Sequence, residues 1–175
     1  MQTNAVPKYD ATDNPTGCCP RFNPTGWDGQ ELHFQDKLFA LAKTKSVAHI
    51  PLNMGTVFRE TFAAIEQAHA RDPDDFLVLS RERSAWSAEH LFSVAREVPG
   101  LPTARLSGAY RTKVFEGPYK QLPTWAREVV QEAKGRGREV EDLYFFYTTC
   151  PKCAKVYGKN YVVAVAKERD ATTVA

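Results

Sequence analysis

The chain has no apolar run near the ~20 residues that a helix needs to cross a bilayer. Its opening residues, MQTNAVPKYDATDNPTG, lack both the basic start and the apolar stretch of a secretory signal. A membrane protein or an exported one is therefore not expected, and the reading is a cytoplasmic protein whose thiols stay reduced. Excess charge of one sign is also missing. Lys and Arg number 23 against 21 acidic residues, a formal charge of +2, so no broad basic face for nucleic acid is expected. The densest basic stretch, KGRGRE at 134–139, contains two glycines and reads as a solvated turn. Residues 1–35 are too short and too polar for a helix-turn-helix, which argues against a complete transcription regulator. Cysteine is sparse as well. All four fall in two clusters, Cys18-Cys19 in TGCCPRF and Cys150/Cys153 in TTCPKCAKVYGKNY.

What is present is an ordinary apolar share, 43% of 175 residues, enough for one domain with a buried core. Sliding the chain against itself exposes an internal repeat. One shift places Pro51 on Pro118, Phe58 on Trp125, Phe62 on Val129, and FLVL at 76–79 on LYFF at 143–146. The match of LFSVAREV (91–98) with VVAVAKER (162–169) needs a shift four residues longer, so the Cys-Pro-Lys-Cys segment reads as an insertion in the second copy.

Each copy has the same grammar. Strands are expected at 38–50 and 104–115, followed by helices at 54–70 and 122–134. Val57, Phe58, Phe62 and Ile65 form an apolar stripe on the first helix, and Trp125, Val129 and Val130 one on the second. Pro123 suits a first helical turn, and Gly135 and Gly137 a stop. Strands at 76–80 with 89–97, and at 143–148 with 157–167, close the copies. The expected fold is α+β: a tandem β-α-β-β repeat forming one antiparallel sheet with two helices on one face and a concave surface on the other. Residues 1–35 form an N-terminal arm packed on a single domain at 36–175, with repeats at about 36–98 and 104–168.

A doubled β-α-β-β chain with FEGPYKQLPTW at the start of its second helix resembles the GyrI-like small-molecule-binding superfamily, an SHS2-type duplication. The resemblance covers about 36–168. TGCCPRF together with YFFYTTCPKCAKVYGKNYVV resembles a bacterial subfamily loosely described as hydrolases. The superfamily includes ligand-binding domains of regulators, and hydrolases that open the strained cyclopropane of cytotoxic natural products. The resemblance implies a pocket that takes a hydrophobic or aromatic small molecule, either to hydrolyse it or merely to sense or sequester it. It also implies a carboxylate on a closing strand facing aromatics. Glu89 occupies that place in the first copy, whereas Asn160-Tyr161 in the second carries no acid.

The candidate catalytic residues are Glu89 and Glu116, to activate water, and Tyr119 and Tyr147, to protonate a leaving atom. Buried among aromatics, Glu89 would have its pKa raised; as an outward strand residue it would be inert. Trp86, Trp125, Tyr161 and His49 are candidates to contact the ligand, His49 because it aligns with Glu116. No cofactor is required, and the partner state is open between monomer and homodimer. Three readings of Cys18, Cys19, Cys150 and Cys153 stand side by side: a structural zinc clip holding down the arm, simply packed thiols, or redox or catalytic thiols. A Cys-x-x-Cys between two strands would lack help from a helix dipole.

Overall fold

From Glu31 to Val47 buried and exposed residues alternate along one extended run, β1, the period-two mark of a strand with one covered face. The phase slips at Asp36, whose φ of 48° breaks the pleat. The computed structural model describes residues 3–8, 10–47, 50–72 and 76–171. After β1 come β2 (Ile50–Pro51), α1 (Met54–Gln67), β3 (Val78–Ser84), β4 (Ser87–Ser93), β5 (Thr103–Glu116), α2 (Leu122–Gly135), β6 (Arg138–Tyr147), α3 (Pro151–Tyr157) and β7 (Tyr161–Asp170). The architecture is α+β, with antiparallel strand pairing. Two compact units divide the chain, one from 1–6 and 33–108, the other from 7–32 and 109–175. No helix among the described residues is long and apolar enough to cross a membrane.

In the first unit the strand order is β2-β1-β4-β3. α1 turns Thr61 and Ile65 into a core made with Ala40, Ala42, Val78, Phe92 and Val94, and Val57 and Phe58 pack at its margin. Burying a side chain such as Ile65, 1% exposed, contributes about 1.5–3 kcal/mol. The helix ends before the expected residue 70 because His69 takes a left-handed φ of 48°.

In the second unit the order is β6-β7-β5, with β7 in the middle. Val162 to Ala166 are all buried, as a strand covered on both faces requires. α2 covers one face. Its Trp125 and Val129 pack with Phe115, Val162 and Ala164, and the Trp125 ring stacks on Phe115 at 5.1 Å. Pro123 lies in the first turn, and Val130 is 45% exposed, outside the stripe expected for it. Along β6, Leu143, Phe145 and Tyr147 join that core, while Tyr144 and Phe146 alternate away from it. The arm meets Phe146 there. Trp27, 1% exposed, lies 5.5 Å from the Phe146 ring, and Phe22 6.1 Å. These two aromatics anchor the arm on β6.

Two expectations need correction. Among the described residues there are three α-helices, not two, because Pro151–Tyr157 forms α3 where a tight turn between strands was expected. Its signals are short but complete: Cys150 is extended before it, Pro151 opens it, and Gly158 closes it at a left-handed φ of 70°. Consequently β7 starts at Tyr161 rather than at 157.

Candidate metal centre and adjoining groove

The second unit brings both cysteine clusters to one place. Cys18 and Cys19 follow Gly17, whose φ of 65° turns the arm. Cys150 caps α3 and Cys153 lies in its first turn, a spacing that puts both sulfurs on one side of the helix start. The four Sγ atoms all lie within 4.8 Å of one another. Cys18 Sγ is 3.7 Å from Cys19 Sγ and 4.0 Å from Cys150 Sγ. A disulfide needs about 2.05 Å, so these are free thiols. A tetrahedral zinc at about 2.3 Å from each sulfur separates them by about 3.8 Å. The 3.7 and 4.0 Å separations match that figure, and no pair exceeds it by more than about 1 Å.

Outer contacts hold the sulfurs in place. The Cys150 amide donates to Cys19 Sγ at 3.4 Å, and the Thr16 hydroxyl lies 3.2 Å from Cys153 Sγ. Tyr157 donates its phenol to the Cys19 carbonyl at 2.5 Å and meets Thr16 Oγ1 at 3.0 Å. Thr16 draws the Cys153 thiol down to about 7, whereas burial pushes Cys19 above the usual thiol range. Like charges this close resist joint ionisation, and a divalent cation removes that obstacle. The start of α3 contradicts the expectation that helix-dipole help is absent here.

Beside the quartet lies a groove of about 390 Å³. Asp10, Asp13, Arg21, Phe22, Asn23 and Pro24 line it from the arm, and Thr149, Tyr157, Lys159 and Tyr161 from around α3. Asp10 accepts from the Thr12 amide at 2.9 Å and hydroxyl at 2.6 Å, which holds its carboxyl below the usual range. Asp13 pairs with Arg21 Nε at 3.3 Å, and that guanidinium lies 5.0 Å over the Tyr157 ring. A second hollow, about 370 Å³, is bordered by Glu116, Pro118, Lys155, Lys159 and Asn160 among others.

Among the candidate residues, Tyr161 lines the groove, 5.9 Å from Phe22, with Lys159 Nζ 3.5 Å from its hydroxyl. Glu116 is at the second hollow with Lys159 4.0 Å away. Tyr119 donates to the Thr149 carbonyl at 2.5 Å, its ring edge-on to Tyr147 at 5.6 Å, and burial raises the pKa of its phenol. Trp125 is core. Glu89 and Trp86 belong to the first unit, where Trp86 is 64% exposed in the β3–β4 turn. Glu89 faces three cations, because strand register sets Lys43 and Arg81 opposite it. Arg81 Nε is 3.1 Å away, Lys43 Nζ and Arg83 Nε 3.7 Å. His49 lies outside the described residues. The sequence reading missed Asp10 and Asp13 as groove acids and Phe22 as an anchor. Their signals were local: an Asp-x-Thr turn, and an aromatic beside the cysteine pair.

With this geometry in view, comparison with known proteins places the chain. The bacterial hydrolase family model matches residues 9–168. The chain belongs to that family. No curated protein matches it. The crystal structure of an uncharacterized conserved protein from Listeria innocua is similar in fold, with a TM-score of 0.57, 10% identity, and coverage of 82% of this chain and 93% of that one. The matched span of the bacterial hydrolase family model includes the quartet and every groove residue.

Proposed function

We propose that this member of the bacterial hydrolase family binds a hydrophobic, partly aromatic small molecule in the arm–α3 groove and hydrolyses it. The observation that carries the reading is a groove combining two carboxylates with the rings of Phe22, Tyr157 and Tyr161. The aromatic faces take up flat apolar surface, while the charged rim orients the reacting end. Thr12 already occupies Asp10. Asp13, whose Oδ2 pairs with Arg21 Nε at 3.3 Å, is then the base: its Oδ1 takes a proton from water as the water oxygen adds to an electrophilic carbon. Tyr161 gives its proton to the leaving atom, and solvent returns one from Asp13. In this reading Tyr161, expected as a ligand contact, takes the acid role expected of Tyr119 and Tyr147, Glu116 borders the neighbouring hollow, and Glu89 is an ion-paired strand residue.

The GyrI-like resemblance supports the substrate class. The test is hydrolysis of a panel of strained-ring and aryl ester compounds, read by mass spectrometry. We expect Asp13→Asn and Tyr161→Phe each to lower kcat about 100-fold with folding unchanged. A compound that binds and stays intact on long incubation would instead assign a sensor or sequestering module.

The quartet favours a second element, a structural zinc. Four protein sulfurs fill a tetrahedral shell and leave no open position for water, so the ion would brace the fold rather than catalyse. Elemental analysis of protein purified under reducing conditions should give one zinc per chain, and Cys153→Ser should abolish it. Metal-free protein with four titratable thiols would leave packed thiols as the answer.

A further inference from the structure

We infer that the metal centre is the staple that holds the two walls of the groove together, so the ligand site exists only in the metal-bound chain. The inference rests on the zinc reading above and goes beyond it. Every groove residue comes from one of two segments, 10–24 or 149–161. Each segment supplies two of the four thiols, and Cys18 and Cys150 are 132 positions apart in the chain.

The arm between Asp10 and Arg21 has little else to fix it. It contains no helix or strand, and several of its backbone hydrogen bonds close on itself: Asn14 to Thr12, Gly17 to Asn14 and Arg21 to Asp13. Its polar contacts with the opposite wall run through the thiols or residues beside them. Thr16 meets Cys153 and Tyr157, Cys19 meets Tyr157 and the Cys150 amide, and Arg21 covers the Tyr157 ring. Firm aromatic anchoring begins only at Phe22 and Trp27. Without a cation the four sulfurs contribute only weak contacts and repel once more than one ionises. With a divalent thiophilic ion, four thiols yield their protons to solvent and four metal–sulfur bonds close the loop of chain between the walls. The ion thereby positions Asp13 and Arg21 against Tyr157 without touching the substrate, while Phe22 holds its place by packing on Trp27 and Phe146.

The test uses the full chain loaded with one equivalent of zinc, before and after removal by a chelator. Hydrogen exchange is followed at amides 10–24 and, as an internal reference, in β3 and β4. Trypsin cleavage after Arg21 is timed in parallel. Zinc removal is expected to speed exchange in 10–24 and cleavage at Arg21 by about tenfold or more, with β3 and β4 unchanged and full reversal on adding zinc back. Zinc bound at one per chain, with no change in 10–24 on its removal, overturns the staple and leaves the metal site standing. Exchange rising equally in β3 and β4 also overturns it, because the ion would then hold the whole chain. Failure to bind zinc, cobalt or cadmium removes the metal reading itself, and the staple with it.

Discussion

His90, 1% exposed on β4, shows how one residue ties stability to acidity. Its Nδ1 lies 2.8 Å from Ser80 Oγ and its Nε2 2.9 Å from Thr44 Oγ1, with the Phe58 ring edge-on at 4.9 Å. A neutral imidazole offers one donor and one acceptor, and two rotatable hydroxyls satisfy both. Burial lowers its pKa from 6.5 to about 4. The unfolded chain therefore takes up a proton below about pH 6.5 while the native one does not, and stability falls with pH from there down to about 4. The full loss is about 3 kcal/mol. Urea unfolding between pH 7.5 and 5 should show wild type losing about 2 kcal/mol more than His90→Gln. Parallel pH profiles would mean that His90 charges in place. The row was invisible in sequence because Thr44, Ser80 and His90 meet only through the pairing of three strands.

Elements with a long period were legible, and those fixed by a few capping residues were not. Both long helices begin where the apolar stripes of Val57–Ile65 and Trp125–Val129 predicted, since burying a stripe needs several turns of consistent spacing. β5 likewise falls within a residue of its expected bounds. α3 failed because seven residues hold barely two turns, and Val156 and Tyr157 favour strand when read alone. That one misreading hid the better half of the site. As a turn between strands, Cys-Pro-Lys-Cys offered two loosely placed thiols. As the start of a helix it fixes the spacing of Cys150 and Cys153 and sets an amide against Cys19. Glu89 shows the opposite failure: its place on β4 was expected, but its surroundings depend on Lys43 and Arg81, which only strand register brings there.

Acid acts on the whole chain through two separate chemistries, one in each unit. In the first, His90 resists a proton that the unfolded state accepts. In the second, the zinc proposed for the quartet would compete with protons for sulfur, because every thiol must be deprotonated to bind. The proposed metal would stabilise the native second unit by RT ln(1 + [L]/Kd), with Kd rising as pH falls. Several protons compete for each ion, so release on acidification should be steeper than a one-proton curve. A chromogenic chelator would record that release, and Cys18→Ser, with one sulfur fewer, should let go at higher pH. Saturating chelator then separates the two terms. It should abolish the zinc-linked part of the pH dependence of stability while the His90-linked difference from His90→Gln persists. If the chelated and zinc-loaded chains lose stability in parallel from neutral pH to pH 5, zinc is not coupled to folding, and the quartet is packing rather than a clip.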